Sequence, residues 1–244
     1  MPRDTLTREQ VVQATIGLLD REGLEGLNMR ALGERLGSAA TAVYWHVGSK
    51  ENLIGLASDR AWQEITLPDL AALDWRTAAA SMAADLHAML NRHPWLLQAF
   101  GSFLLYGPGK ARHDDHSLAI YEEAGFTAAQ ADRAATTVFT FVLGNALGLA
   151  ATASLNRKLN RGGGNAKQKM REGLTKAREI AKQFPRLRKR LDTAAASYGA
   201  SPENSFEFGL RVVLDGLEAQ RGVRDPGTVR RVRTPRRDTR VARR

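Results

Sequence analysis

The segment from Thr127 to Asn156 sets the tightest limit on the fold. Thr127-Ala128-Ala129-Gln130 reads as a capping box, and the helix it opens is apolar nearly all round from Val138 to Leu149. Such a helix must be buried on more than one side, so other elements have to surround it. Thr140 and Asn145 interrupt the apolar run Val138 to Ala153, which is expected to fall short of a membrane span. The chain has no alternating apolar–polar run of useful length and no internal repeat. The surroundings are therefore helices, and the fold class expected is all-α.

With 244 residues, 43% hydrophobic and 25% charged, the chain can build one large or two modest globular cores. It contains no cysteine, which excludes disulfides, thiolate metal sites and thiol catalysis. No cationic stretch followed by an apolar run opens it, so a cytoplasmic protein without a signal peptide is expected. The net charge of +10 is concentrated: residues 157–192 carry 13 basic and 3 acidic side chains, and residues 221–244 carry 10 and 2. Basicity of this kind suits an acidic partner such as nucleic acid, but it does not locate the residues that read that partner.

Local signals divide the chain into helices. Leu6 can staple onto Val11 beside the capping box Thr7-Arg8-Glu9-Gln10, and Gly23 offers a stop. Asn28 caps a short helix Met29–Leu36, a third helix runs from Ala39 or Ala40 to His46, and Ser49 caps a fourth toward Ile65. Leu67-Pro68-Asp69 marks a boundary. Asp74 then caps a helix to Asn91, His93-Pro94 starts another, and Gly107-Pro108-Gly109 reads as a loop before a helix through His116–Ala124. Gly162-Gly163-Gly164 reads as a flexible break before a basic helix that ends near Phe184. Ser201-Pro202-Glu203 starts a last helix with one apolar stripe, and the Arg-rich chain from Gly222 is expected to be disordered.

Met29 to Lys50 is the informative stretch. Two short helices joined at Gly37-Ser38 and braced by a longer preceding helix form a helix-turn-helix, locked by Met29, Leu32, Leu36, Val43 and Val47. That leaves Ala39, Ala40, Thr41, Ala42, Tyr44, Trp45 and His46 around the outside, small or polar at the leading end as entry into a major groove requires. Tyr44, His46 and Lys50 suit phosphate contacts, Thr41 suits a base contact, and Arg30 and Ser38 complete the DNA-facing candidates. A plain packing unit with Tyr44 and Trp45 as core is the competing reading.

The run from Leu36-Gly37 through Ala42-Val43-Tyr44-Trp45-His46-Val47-Gly48-Ser49-Lys50-Glu51-Asn52-Leu53 resembles the DNA-binding domain of TetR-type transcriptional regulators. Its Tyr-Trp-His-Val wording resembles the tetracycline-repressor branch. Gly23 and Leu27 fit as well, and further on His93-Pro94-Trp95 and the pattern from Phe206 to Glu218 support it more weakly. The resemblance implies an N-terminal DNA-binding domain over 1–66, a C-terminal effector-binding and dimerisation domain over 67–222, and a basic tail over 223–244. It also implies a homodimer on a palindromic double-stranded operator, released by a small-molecule effector. Ala39, Ala40 and Ala42 stand where relatives often place base-bonding side chains, so the operator sequence does not carry over and specificity leans on Thr41, thymine methyls or DNA shape.

The pocket is expected among the helices between 75 and 156. Met82, Leu86, Met89, Phe100, Phe103 and Leu104 are lining candidates, with Tyr121, Phe139 and Leu143, and with Thr136 and Thr140 as polar handles. That composition suits a small apolar or aromatic effector. Asn145 and Leu149 on the apolar helix, and Phe206, Leu210, Val213, Leu214 and Leu217 on the last, are the dimer-interface candidates, unless both stripes face only the subunit's own core. His113-Asp114-Asp115-His116 lacks an assignable third ligand and reads as a solvated helix start, and His87 and His93 read as structural; no metal, cofactor or membrane partner is expected. No P-loop, nucleophile elbow or His-Glu-x-x-His is present, so the chain does not read as an enzyme. The alternative function is sequence-tolerant coating of nucleic acid by the two basic segments.

Overall fold

The structure is a computed structural model that describes residues 6–161, 163–193 and 205–222. Among these residues every regular element is a helix. Four come first: α1 Arg8–Gly26, α2 Met29–Arg35, α3 Ala40–Val47 and α4 Lys50–Trp62. Then follow α5 Trp75–Arg92, α6 Trp95–Phe100, α7 Pro108–Glu123, α8 Ala128–Arg161, α9 Gly163–Lys182, α10 Pro185–Arg188 and α11 Ser205–Gln220.

Polar side chains start these helices where the sequence offers them. The Thr7 hydroxyl accepts from the Gln10 amide while Gln10 Oε1 accepts from the Thr7 amide, closing a capping box. Asn28 accepts from the Arg30 amide, Ser49 from that of Asn52, and Asp74 from those of Arg76 and Thr77. Gly23, at φ 70°, kinks α1 near its end.

The 34-residue α8 is the spine, and α5, α6, α7 and α11 pack on it. Val138, Val142 and Ala146 of α8 are buried, and Phe206, Leu210 and Leu214 of α11 close the far side. His87 stacks on Phe206 with ring centroids 4.0 Å apart, and Arg76 of α5 pins α11 through Asp215 and the Leu214 carbonyl. One continuous apolar cluster extends from Val11 of α1 to Leu214 of α11, so the two halves of the chain share a core.

Several boundaries differ from expectation. The fourth helix ends at Trp62 rather than near Ile65, and α8 runs past Asn156 to Arg161. Gly107-Pro108-Gly109 is no loop: Gly107 caps α7 and Pro108 is its first residue, where a missing amide proton costs nothing. The sequence His113 to His116 is therefore inside a helix, and His113 is buried. By length and composition α8 also passes as a membrane span, against expectation, because its apolar run continues across Thr140 and Asn145. Four helices pack on it, yet only 24% of that apolar window is buried, and Leu147 is 58% exposed. The helix α9 begins directly at Gly163; Gly162, Ser201-Pro202-Glu203 and the chain from 223 onward lie outside the described residues.

A buried polar strap joins the two halves. His93, 5% exposed, meets Asp20 of α1 through Nδ1 at 2.7 Å and Glu64 through Nε2 at 3.1 Å. The Trp95 indole donates to the same Asp20 oxygen at 2.9 Å, and Arg92 donates to Glu64. Burial alone would strip the proton from His93, but hydrogen bonds to Asp20 and the charges of Asp20 and Glu64 outweigh it and raise its pKa. A raised histidine pKa stabilises the fold fully below the unfolded value of about 6.5, and that contribution fades as pH climbs through the folded value. Melting of the wild type and His93→Gln between about pH 6 and pH 9 checks this. The gap in Tm is expected to be widest at the acid end and to narrow with rising pH; a constant gap contradicts the strap.

Candidate functional site

The α2–turn–α3 unit is built around one close approach. A Cβ on Gly33 would stand 2.7 Å from the Ser38 carbonyl oxygen and 3.1 Å from the Ala40 amide. Gly37, at φ 61°, turns the chain, and the Ser38 amide donates to the Gly33 carbonyl at 2.9 Å. Met29, Leu32, Val43 and Val47 are buried across this contact and Leu36 is half-buried. At the other end the Asn52 side-chain amide donates to the Val47 carbonyl at 2.7 Å, tying α3 to α4. The helix α3 is thus held at both ends.

Its outer face is open. Ala39 and Thr41 are exposed, Tyr44 is 43% exposed and Trp45 82%, while Ser38, Ala40, Ala42, His46 and Lys50 are half-buried. Arg30 is exposed and paired with Glu34 at 3.2 Å. Trp62 and Trp95 are almost fully buried in the same molecule, so an indole as bare as Trp45 is no core residue. Ala39 supplies no side-chain cap, which leaves the first amide protons of α3 available to a phosphate. Lys50 stands at the first position of α4, the wrong end of a helix for a cation and the right place for a phosphate partner.

A cavity of about 240 Å³ opens between α7 and α8, lined by Lys110, His113, Asp114, Ser117 and Leu118 from α7 and by Asp132, Ala135, Thr136 and Phe139 from α8. A deeper recess of about 20 Å³ shares His113, Ser117, Ala135 and Phe139 with it and reaches Met82, Leu86 and Tyr121. Five expected lining residues, Met82, Leu86, Tyr121, Thr136 and Phe139, therefore surround this space. Met89 is buried in the core, Phe100, Phe103 and Leu143 are half-buried against it, and Thr140 is exposed. Leu104 is 96% exposed and lines nothing: α6 stops at Phe100, and Leu104 falls in the connection to α7.

The polar wall escaped the sequence reading. His113 and Asp114 were expected at a solvated helix start, and with 107–109 read as a loop Lys110 stood outside that helix; proline after Gly107 signals the earlier start that puts Lys110, His113, Asp114 and Ser117 at one helical spacing. Lys110 Nζ bonds both oxygens of Asp114 at 2.5 and 2.6 Å and lies 4.8 Å over the Phe139 ring and 5.0 Å over that of Trp62. Burial pushes the His113 pKa down and keeps its ring neutral. Burial works to raise the Asp114 pKa, yet hydrogen bonds from His113 and Lys110 bring it below the usual range. The two histidines have separate uses, since His116 Nε2 donates to the Pro68 carbonyl at 2.9 Å while His113 packs edge-on to Trp62 at 4.9 Å. No group of three potential metal ligands occurs among the described residues.

The other face of α7 holds α4 and the segment that follows it. The Gly109 amide donates to Asp59 Oδ1 at 2.6 Å, Arg112 to the Ile65 carbonyl at 3.2 Å, and His116 to that of Pro68. Glycine is required at 109, where a Cβ would lie 2.6 Å from the Asp59 carbonyl oxygen. A single helix therefore lines the cavity with one face and grips the end of α4 with the other.

Among the dimer candidates, Phe206, Leu210 and Leu214 are consumed inside the subunit, with Phe206 also stacked on Phe141. Asn145, Val213 and Leu217 are half-buried, and the side chain of Leu149 lies outside the described set. Among the described residues, the bare large apolar side chains on these helices are Leu147 of α8 and Phe208 and Val212 of α11, 58%, 62% and 53% exposed. The stripe richest in apolar residues turned inward, and the thinner one beside it was left facing out.

Comparison with known proteins follows the same division. Residues 11–57 match the family described as "Bacterial regulatory proteins, tetR family", and residues 67–221 match "Tetracyclin repressor-like, C-terminal domain". The chain belongs to the TetR family. It is 33% identical over 226 residues to the HTH-type transcriptional repressor DrrR1 of Streptomyces coeruleorubidus, covering 89% of this chain and 79% of that one. The tetracycline repressor protein class A from transposon 1721 of Escherichia coli is 31% identical, with 93% and 94% covered. The fold matches that of the Streptomyces coelicolor protein ActR, solved in complex with actinorhodin, at a TM-score of 0.67, 23% identity, and coverage of 89% and 99%. As a TetR-family member the chain is a DNA-binding transcriptional regulator and not an enzyme. The matched DNA-binding region contains neither basic segment, so coating of nucleic acid by those segments is not favoured.

Three variants separate the scaffold of the helix-turn-helix from its surface. Gly33→Ala forces the α2–α3 turn apart and is expected to cost about 2 kcal/mol of stability along with DNA binding. Tyr44→Ala is expected to leave stability within about 0.5 kcal/mol and still weaken binding, and Lys50→Ala to lower the salt slope by about 1. Thermal melts and salt titrations of duplex binding check all three.

Proposed function

We propose that this TetR-family regulator is a one-component repressor whose homodimer grips a palindromic operator through two copies of α3 and is released when a small molecule enters the α7–α8 cavity. Residues 1–66 form the reading head, 67–222 hold effector and partner subunit, and 223–244 form a basic tail. The observation that carries the reading is the double use of α7, with Lys110, His113, Asp114 and Ser117 on the cavity and Gly109, Arg112 and His116 on the α4 end. Relatives support it: one bears tetracycline in its name, and ActR was solved with actinorhodin.

The mechanism is a shift between two dimer arrangements. Occupancy that displaces α7 must move Asp59 and Trp62 with it, and α4 carries the Asn52 tie to the reading helix. The resting seat of α4 is imperfect, because Ser58 Oγ and Trp62 Nε1 are buried without a hydrogen-bond partner among the described residues. The effector shifts the balance only as far as it binds one arrangement better. The exposed faces of α8 and α11, with Leu147, Phe208 and Val212, suit an isologous contact that would set the reading heads roughly 34–36 Å apart.

Selection of random duplex DNA on the purified protein at physiological salt tests the reading. One palindrome with two equivalent half-sites is expected; salt-sensitive binding to every duplex without enrichment overturns it. Asp59→Ala is expected to keep operator binding while blunting release by effector. The double substitution Phe208→Arg, Val212→Arg is expected to weaken self-association in sedimentation, with helix content retained.

A further inference from the structure

The cavity between α7 and α8 carries an uneven charge. Two carboxylates, Asp114 and Asp132, face one ammonium, Lys110. That ammonium is already bound to both oxygens of Asp114 and is held against the Phe139 and Trp62 rings. Asp132 is exposed at the rim. Burial keeps His113 neutral, so the imidazole adds no positive charge. One negative charge on the wall is left to be matched from outside.

The rest of the wall defines the shape that comes with the charge. Phe139 and Ala135 form an apolar floor that continues into the recess toward Met82 and Tyr121, and Ser117 and Thr136 supply hydroxyls beside it. An aromatic ring can lie against Phe139, where Lys110 already rests a cation. An anionic ligand fares worse, since recruiting Lys110 would break its bonds to Asp114 and leave three negative groups in one cavity.

We propose that the effector is an aromatic cation, a planar ring system bearing a protonated amine that seats its ring on Phe139 and its ammonium on Asp132. This rests on the reading of the α7–α8 cavity as the effector site.

Three anthracenes with one ring system and different charge test it on the full chain: 9-(aminomethyl)anthracene, 9-anthracenemethanol and 9-anthracenecarboxylate, followed by fluorescence anisotropy at neutral pH. The amine is expected to bind about five- to tenfold tighter than the alcohol, with the carboxylate weakest. Asp132→Asn is expected to erase the advantage of the amine while leaving the alcohol within about twofold and Tm unchanged, as suits an exposed side chain. A carboxylate that binds tightest, or an amine advantage that survives Asp132→Asn, overturns the proposal. Thr136→Trp, which fills the cavity, keeps the two readings apart. If it abolishes alcohol binding but the amine was never preferred, only the charge assignment fails. If no anthracene binds, or binding survives Thr136→Trp, the effector site itself is misplaced and the proposal falls with it.

Discussion

Trp62 ends α4 and is buried where the two halves of the molecule meet. It stacks with Phe139 of α8 at 6.3 Å between centroids, meets His113 of α7 edge-on and lies under Lys110. A side chain of that size, 1% exposed, excludes water from the junction and allows one apolar core to run through both halves. The reading head is therefore no loosely tethered module. What happens around Phe139 and His113 is felt at the last turn of α4, because close-packed side chains have few ways to yield independently.

Two polar devices complete that junction, and they differ in kind. The Asp20–His93–Glu64 strap uses no residue of the cavity lining, adds charge-assisted bonds, and fastens α1 to the turn after α4. The Asp59–Gly109 bond sits at the start of α7, where a carboxylate also complements the helix dipole. The first holds the halves together whatever the cavity contains. The second lies on the helix that lines the cavity, so the proposed pivot of α4 would leave the strap between α1 and α5 in place. Ser58 and Trp62 leave polar atoms unmatched beside this pivot, which suits a joint with a second position.

Much of the fold was legible because its signals are local. Thr7, Asn28, Ser49 and Asp74 cap the helices they announce, and the burial of Leu32 and Val43 follows from spacing alone. The reading head was legible for a further reason: small residues beside a bare aromatic pair have no use in a core. The cavity was less so. Leu104 looked like lining because it is apolar, yet hydrophobicity does not say which side of a connection a residue faces. Lys110 and Asp132 went unnoticed because their roles depend on α7 and α8 meeting, a contact between distant segments. The α11 stripe shows the same limit, since periodicity identifies an apolar face but not whether Phe206 or Phe208 meets the partner.

The central claim is that occupancy of the α7–α8 cavity moves the reading helices through α4. The chain has no cysteine, so Thr41→Cys places a single spin label on each α3 without further changes. The separation of the two labels in the homodimer, measured by pulsed dipolar spectroscopy with and without saturating 9-(aminomethyl)anthracene, addresses the claim directly. The distance distribution is expected to shift when the cavity fills and to stay put when Asp59→Ala cuts the link to α7. An unchanged distribution in the wild type, with the ligand demonstrably bound in the cavity, would contradict it.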